Sequence, residues 1–303
     1  MTMQNTPDPS AAIFSLAGKG IALIGAGSGI GEASARACAA QGAAVACLDL
    51  DLAAAERVAA AIRALGGTAT AGSLDIRDGD DTERALTEAA EALGGLHGIV
   101  CTPGVNVRKP LLDYTADEFQ KVVDVNLKGS FNVLRGGARV LLRQRTGAGG
   151  VGGAGASGAA GHHSGGGSIV LFASIRAHAV EPGQSVYAAT KAGVIQLART
   201  GAAELGGSGI RVNVVAPGVV ETPLTAPIKA HADWYNAYAT KSALGRWGQP
   251  HELAGPTAFL LSDASAFMTG AVLYVDGGWT AVDGRFTPPG MTLPGSEFAE
   301  GAR

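Results

Sequence analysis

Three side chains in the middle of the chain could together move a proton. Ser174 closes an apolar run, SIVLFAS; Tyr187 follows thirteen residues later and Lys191 four after that, in VYAATKAGVIQLART. The i, i+4 spacing on a helical pattern puts the phenol and the ammonium on one face, about a turn apart. A phenol ordinarily titrates at about 10. A neighbouring ammonium stabilises the phenolate and lowers that value, which makes the group a usable acid/base near neutrality. Ser174 could hydrogen-bond the oxygen that gains or loses the proton. The same spacing also suits a surface Tyr and Lys on an amphipathic helix, so spacing alone leaves both readings open.

A second candidate lies near the start, in IALIGAGSGIGEASARACA. Gly25, Gly29 and Gly31 stand where a strand turns into a helix. Glycines there allow a tight turn and let backbone N–H groups approach a pyrophosphate, with the positive helix N-terminus behind it. Asp49 ends the second strand, where a carboxylate can accept from a ribose diol. Asp75 ends the third, in LDI, where it could contact an adenine. Each aspartate has an alternative role as a helix N-cap. A 2′-phosphate beside Asp49 would meet like charge, and the turn carries Ser28 where an arginine could have neutralised it. The turn therefore favours NAD over NADP.

The elements that must position these residues alternate. Short apolar runs (GIALIG, AVACLDL, TATAGSLDI, LHGIVCTPG, SIVLFAS, IRVNVVAPG, AVLYVDGG) are separated by Ala-rich helical stretches closed by glycine. Strands apolar almost throughout, joined by helices, predict an α/β fold: a Rossmann-like, doubly wound parallel sheet in a single domain. We place that domain at 18–280, with an N-terminal extension over 1–17 and a Pro/Gly-containing C-terminal extension over 281–303. A segment at 144–167, nearly half glycine, has little to bury and predicts a mobile loop insertion. It precedes the Ser174 strand, at the sheet edge opposite the carboxyl ends where ligands sit. His162 and His163 within it lack a third ligand nearby, so no metal site is predicted.

Composition narrows the class. The 303-residue chain is 47% hydrophobic and 16% charged, with a formal net charge of −3. That gives a sizeable core and no basic excess for nucleic acid or an anionic membrane. No stretch reaches the roughly 18 apolar residues of a membrane span, and the first residues do not read as a secretory signal. Cys38, Cys47 and Cys101 have no CxxC spacing and read as small buried apolar residues in a reducing, cytoplasmic setting.

In combination these motifs resemble the short-chain dehydrogenase/reductase family, from about Gly18 to Trp279. The family's glycine turn appears as IGAGSGIG, its asparagine-bearing helix as VVDVNLKGSF, its active-site Ser and Tyr-x-x-x-Lys as Ser174, Tyr187 and Lys191, and its Pro-Gly motif as APGVVETP. The resemblance implies a catalytic set of Asn126, Ser174, Tyr187 and Lys191. Tyr187 would be the acid/base. Lys191 would bind the nicotinamide ribose and lower the phenol's pKa, while Asn126 would hold a water that relays protons to Lys191. Cofactor contacts are implied at Gly25, Ser28, Gly29, Ile30, Gly31, Asp49, Asp75, Ile76, Gly104, Pro217, Gly218, Val220 and Thr222, besides Tyr187 and Lys191. Two departures predict altered local packing: Ile24 replaces a threonine, and CTPG (101–104) stands where the family has N-N-A-G.

For substrate, Arg108, Arg176 and His178 flank the strand ends. The segment 222–248, a mobile lid in the family, offers Trp234, Tyr235 and Tyr238 as aromatic walls. Polar and cationic neighbours favour a small polyol, sugar or sugar acid. Competing readings are a 3-oxoacyl-carrier-protein-reductase-like carbonyl reductase and a non-catalytic cofactor-binding regulator. The resemblance also implies a homotetramer or homodimer, with Val133, Leu134, Val140, Ile195 and Leu197 as interface residues.

Overall fold

The computed structural model describes residues 12–146 and 166–282. His162, His163, most of the glycine-rich segment and nearly all of the C-terminal extension fall outside these residues. Seven parallel strands form one sheet: β1 (Gly20–Ile24), β2 (Ala44–Asp49), β3 (Thr68–Ser73), β4 (Gly98–Cys101), β5 (Ser168–Phe172), β6 (Arg211–Pro217) and β7 (Val272–Val275). Their spatial order is β3-β2-β1-β4-β5-β6-β7. The chain winds one way from β1 to β3 and the other way from β4 to β7. The direction reverses between β1 and β4, where Ile24 pairs with Cys101. A crevice opens there at the carboxyl ends, as the doubly wound topology requires.

The central strands β1, β4 and β5 are buried at every position because helices cover both sheet faces. On one face, α1 (Gly29–Ala40), α2 (Leu52–Ala64) and α9 (Pro250–Leu261) enclose Ala35, Cys38, Val58, Ile62 and Leu253. On the other, α3 (Gly79–Leu93), α5 (Gly129–Thr146) and α6 (Ser185–Leu205) enclose Leu86, Val133, Val194 and Ala198. Side chains mark where helices start. Asp51 caps α2 and Asp78 caps α3. A Thr115–Glu118 box opens α4 (Ala116–Val123), and a Gln249–Glu252 box opens α9. A single π-helical turn, Asp124–Lys128, links α4 to α5. Two short helices, α7 (Ala226–Lys229) and α8 (Ala232–Ala239), lie in the segment after β6.

Residues just before the sheet belong to the same body. Leu16 is fully buried, and its N–H donates to the Gln41 carbonyl at 3.0 Å. All three cysteines are free and buried. Burial pushes the Cys38 and Cys47 thiols up to about 12 and Cys101 to about 11.

The residues named for a subunit interface require correction. Val133, Leu134, Val140 and Ile195 are 0%, 8%, 3% and 7% exposed, and Leu197 packs against the same core. They face the sheet of their own chain, because the apolar stripe of a helix covering a sheet is spent on that sheet. Phe131, 42% exposed, and the exposed Gln196, Arg199 and Thr200 are what α5 and α6 turn outward.

Candidate active site

The glycine turn between β1 and α1 is built by close approach. A methyl on Gly31 would stand 1.9 Å from the Gly25 carbonyl oxygen, and Gly25 holds a left-handed φ of +81°. Neither position tolerates a side chain. Thr102, from the unusual CTPG turn, fixes the turn from β4. Its hydroxyl donates to the Ile24 carbonyl at 2.9 Å. Ile24 itself is buried in the core below. Ser28 precedes α1 in extended conformation and makes no side-chain cap, and Ile30 packs partly buried on the sheet. The Pro-Gly loop arrives from across the crevice. A methyl on Gly29 would lie 3.5 Å from Thr222. Pro217 ends β6, and Gly218 donates to the Val275 carbonyl at 3.0 Å. Val220 is buried where its strand bridges Gly248.

The two aspartates differ. Asp49 ends β2 and does not cap α2. Its Oδ2 accepts from the Gly27 N–H at 2.8 Å and its Oδ1 from the Asp51 N–H at 3.0 Å. A carboxylate therefore borders the glycine turn. Asp75 lies beyond the end of β3, which stops at Ser73. Nor does it cap α3. Arg77 grips its carboxylate through Nε at 2.9 Å and Nη2 at 2.6 Å, which holds its pKa low. Ile76 is buried beside it, and its carbonyl accepts from Asn132 Nδ2 at 2.9 Å. Asn132 was not singled out from sequence, since an asparagine within an apolar helix carries no motif. The turn fits a dinucleotide: α1 starts without a side-chain cap, glycines stand where Cβ atoms would collide, and a carboxylate lies alongside.

Across the crevice the structure brings Asn126, Ser174, Tyr187, Lys191 and Gly104 together. Ser174 follows β5 and caps the 3-10 turn Ile175–Ala177; its Oγ accepts from the Arg176 N–H at 3.1 Å. Tyr187 and Lys191 share a face in the first turns of α6. Lys191 is 3% exposed and donates through Nζ to the Phe172 carbonyl at 2.8 Å. A methyl on Gly104 would lie 3.3 Å from that Nζ and 3.6 Å from Asn126 Oδ1. Asn126 is fully buried in the π-helical turn. It accepts from the Val105 N–H at 2.8 Å and donates to the Val105 carbonyl at 2.9 Å, so it ties the loop after β4 in place.

Electrostatics depart from the sequence expectation. Burial pushes the Tyr187 phenol up; the hydrogen bond with Ser174 and the charges of Arg108 and Arg176 oppose it. Lys191 lies 5.7 Å from the centre of the phenol ring. Its own pKa is forced down to about 8 by burial, and Cys101 opposes that shift. Arg108 and Arg176, which the Tyr-x-x-x-Lys spacing does not reveal, also act to lower the phenol's pKa.

Those arginines form a cluster beside Ser174. Arg176 is buried within the turn that Ser174 caps and pairs with Glu181. Arg108 Nη1 donates to Glu181 Oε1 at 3.2 Å and to the Tyr238 hydroxyl at 3.3 Å, and its guanidinium covers Trp234 at 5.2 Å. Tyr238 donates to Glu181. Sequence reasoning missed Glu181, because nothing local in AVEPG marks it. The aromatic residues divide. Tyr235 stacks on Trp247 at 4.8 Å and binds Glu221 at 2.7 Å, while Tyr238 is buried against Trp247 and Trp279. These two pack the lid segment to the body. Trp234 is partly exposed under Arg108. His178 is exposed and edge-on to Tyr274 of β7.

Residues 19–149 match the family model for short chain dehydrogenases, and residues 152–280 match that for Enoyl-(Acyl carrier protein) reductase. A 3-oxoacyl-[acyl-carrier-protein] reductase of Thermotoga maritima is 33% identical, over 87% of this chain and 98% of its own. A cis-4-hydroxycyclohexanecarboxylate dehydrogenase of Sinomonas cyclohexanicum is 36% identical, over 86% and 96%. Among solved structures, a gluconate 5-dehydrogenase from Burkholderia cenocepacia, in complex with NADP and tartrate, superposes with a TM-score of 0.79. It is 32% identical and is covered over 90% of this chain and 99% of its own.

Proposed function

The chain belongs to the short-chain dehydrogenase/reductase family, and from that premise we propose that it is an NAD-dependent enzyme interconverting a secondary alcohol and a ketone. The carrying observation is the convergence of Ser174, Tyr187 and Lys191 on one side of a crevice whose other side is the glycine turn. Gly25, Gly29, Gly31 and the first N–H groups of α1 would hold the pyrophosphate, and Asp49 the adenine ribose. Asp75, Ile76, Gly104, Val220 and Thr222 would border the rest. A bound nicotinamide supplies the hydride acceptor or donor.

Tyr187 exchanges the hydroxyl proton. Ser174 shares the substrate oxygen and keeps the phenol aligned. Arg108 and Arg176 bias the phenol toward ionisation against the cost of burial. Lys191 spends one N–H on Phe172 and keeps the others for ribose hydroxyls. Asn126 fixes the loop that carries Gly104. NAD preference rests on Asp49, with Asp51 next to it. A 2′-phosphate would be desolvated against a carboxylate already committed to Gly27. The gluconate dehydrogenase named above binds NADP, so both cofactors belong in the test.

For substrate we propose a polyol, sugar or sugar acid. A cationic cluster beside Ser174 supports this, as do relatives named for hydroxylated carboxylates. A carbonyl-reductase role resembling the Thermotoga enzyme is the second reading, favoured by that similarity. We further propose a cytoplasmic homo-oligomer with a small-molecule substrate; among the described residues no helix is long and apolar enough to cross a membrane. The test follows absorbance of the reduced nicotinamide with NAD or NADP across an alcohol panel, then with NADH or NADPH across ketones. Absence of turnover with every pair refutes the proposal.

A further inference from the structure

The cluster beside Ser174 does not balance its charge. Arg108 and Arg176 are both paired with a single carboxylate, Glu181. No other acidic side chain among the described residues pairs with either. The two cations are not equivalent. Arg176 is enclosed: its side chain is 7% exposed, it pairs with Glu181, Nη1 donates to the Ala179 carbonyl at 3.3 Å, and its guanidinium lies 5.2 Å from the centre of the Trp279 ring. It holds the loop that follows β5. Arg108 is 30% exposed and uses only Nη1, toward Glu181 and Tyr238. Its Nε and Nη2 make no hydrogen bond to the described residues, while the guanidinium face covers Trp234.

An arginine edge left with open donors, on a guanidinium held from behind by a carboxylate, a phenol and an indole, is preorganised for planar two-point recognition of an anion. Its position is relevant to chemistry, because Glu181 joins Arg108 to Arg176, and Arg176 lies in the turn that Ser174 caps. Resting on the dehydrogenase reading above, we infer that the substrate is a hydroxy acid or oxo acid bearing one carboxylate, that Arg108 binds this carboxylate, and that Glu181 positions Arg108. The single uncompensated positive charge matches one carboxylate. Glu181 also limits the affinity, since it already neutralises half of the pair.

The test compares each acid with its own primary amide, which keeps shape and removes charge. Straight-chain C4–C6 hydroxy acids such as 3-hydroxybutyrate and galactonate serve, with their amides, on the cofactor-loaded enzyme. Hydrogen bonds to charged groups are worth enough for roughly ten- to hundred-fold, so at least one acid should exceed its amide by that ratio in kcat/KM, mainly through KM. Arg108→Met should reduce the ratio to near one, and Arg108→Lys should restore part of it. Glu181→Gln keeps an acceptor for Arg108 and removes the competing charge, so it should lower KM for the acid relative to that for its amide. A merely structural Arg108 would leave the acid-to-amide ratio unchanged however far both activities fall, and that result overturns the inference. So does a wild type that uses every amide as well as its acid. Tryptophan emission, with Trp234 beneath Arg108, gives a second readout that needs no turnover. Quenching of the NADH complex by an acid and not by its amide supports the inference even if the oxidoreductase assay fails. Equal quenching by both, or none by any acid, overturns it.

Discussion

Replacing Lys191 by methionine should cost turnover and yet leave the fold as stable or more stable. Burial lowers the ammonium pKa from 10.5 to about 8. At 1.36 kcal/mol per pKa unit, holding this charge inside costs about 3 kcal/mol at pH 7. Methionine has nearly the same length, fills the same space and removes that penalty. It also leaves the Phe172 carbonyl without the bond it accepts at 2.8 Å, a loss of about 1–3 kcal/mol. The net change lies between zero and about 2 kcal/mol in favour of the variant. A domain of this size shifts by about 2–4 °C per kcal/mol. The pH dependence carries the sign. Below pH 8 folded and unfolded lysine are both protonated and the penalty is complete. Between 8 and 10.5 the unfolded state binds more protons, so wild-type stability rises with pH. The advantage of the variant should therefore be constant from pH 6 to 8 and shrink by about 2 kcal/mol by pH 9.5. Urea unfolding of both proteins across that range measures it. A variant destabilised by several kcal/mol at pH 7, or a difference independent of pH, would refute the reasoning.

Tyr187→Phe keeps the ring and removes the ionisable hydroxyl. It should lower kcat by about 10²–10⁴-fold with cofactor Kd nearly unchanged, and a variant retaining a tenth of wild-type kcat would exclude the assigned role. Asp49→Ala should weaken NAD binding by roughly ten- to hundred-fold and narrow the NAD/NADP preference in parallel titrations; an unchanged preference would exclude Asp49 as the discriminator. His97 accepts from the Gly20 N–H through Nδ1 at 3.0 Å, and burial holds its pKa below 6.5. The unfolded chain binds the extra proton first, so stability should fall as pH drops below about 6.5; His97→Asn keeps an acceptor and should flatten that slope in urea titrations. Light scattering at micromolar concentration should give a dimer or tetramer, and a monomer would refute the assembly proposal.

The sheet was legible because buried parallel strands read as unbroken apolar runs, and the glycine turn because only glycine fits at positions 25 and 31. The shared helix face of Tyr187 and Lys191 was legible from periodicity, and their role only from the family resemblance. What escaped is what depends on tertiary partners. Asp75 reads as an open carboxylate until Arg77 is seen to occupy it. Val133 and Ile195 read equally well as core or as interface, because an apolar helix stripe does not say which surface it meets. The pairing of Arg108 with Arg176 through Glu181 joins residues up to 73 positions apart, which no local pattern shows.

The three thiols turn the interior into its own clock. One lies in α1, one in β2 and one in β4, and each is protonated and shielded in the native state. Alkylation requires both thiolate and access, so reagent added to the folded protein waits for an opening of the element concerned. Labelling rates at Cys38, Cys47 and Cys101 would thus give three local opening free energies from one sample, with no probe introduced. Cys101 reports from the strand facing the buried ammonium, and would register whether the crevice breathes separately from the rest of the sheet.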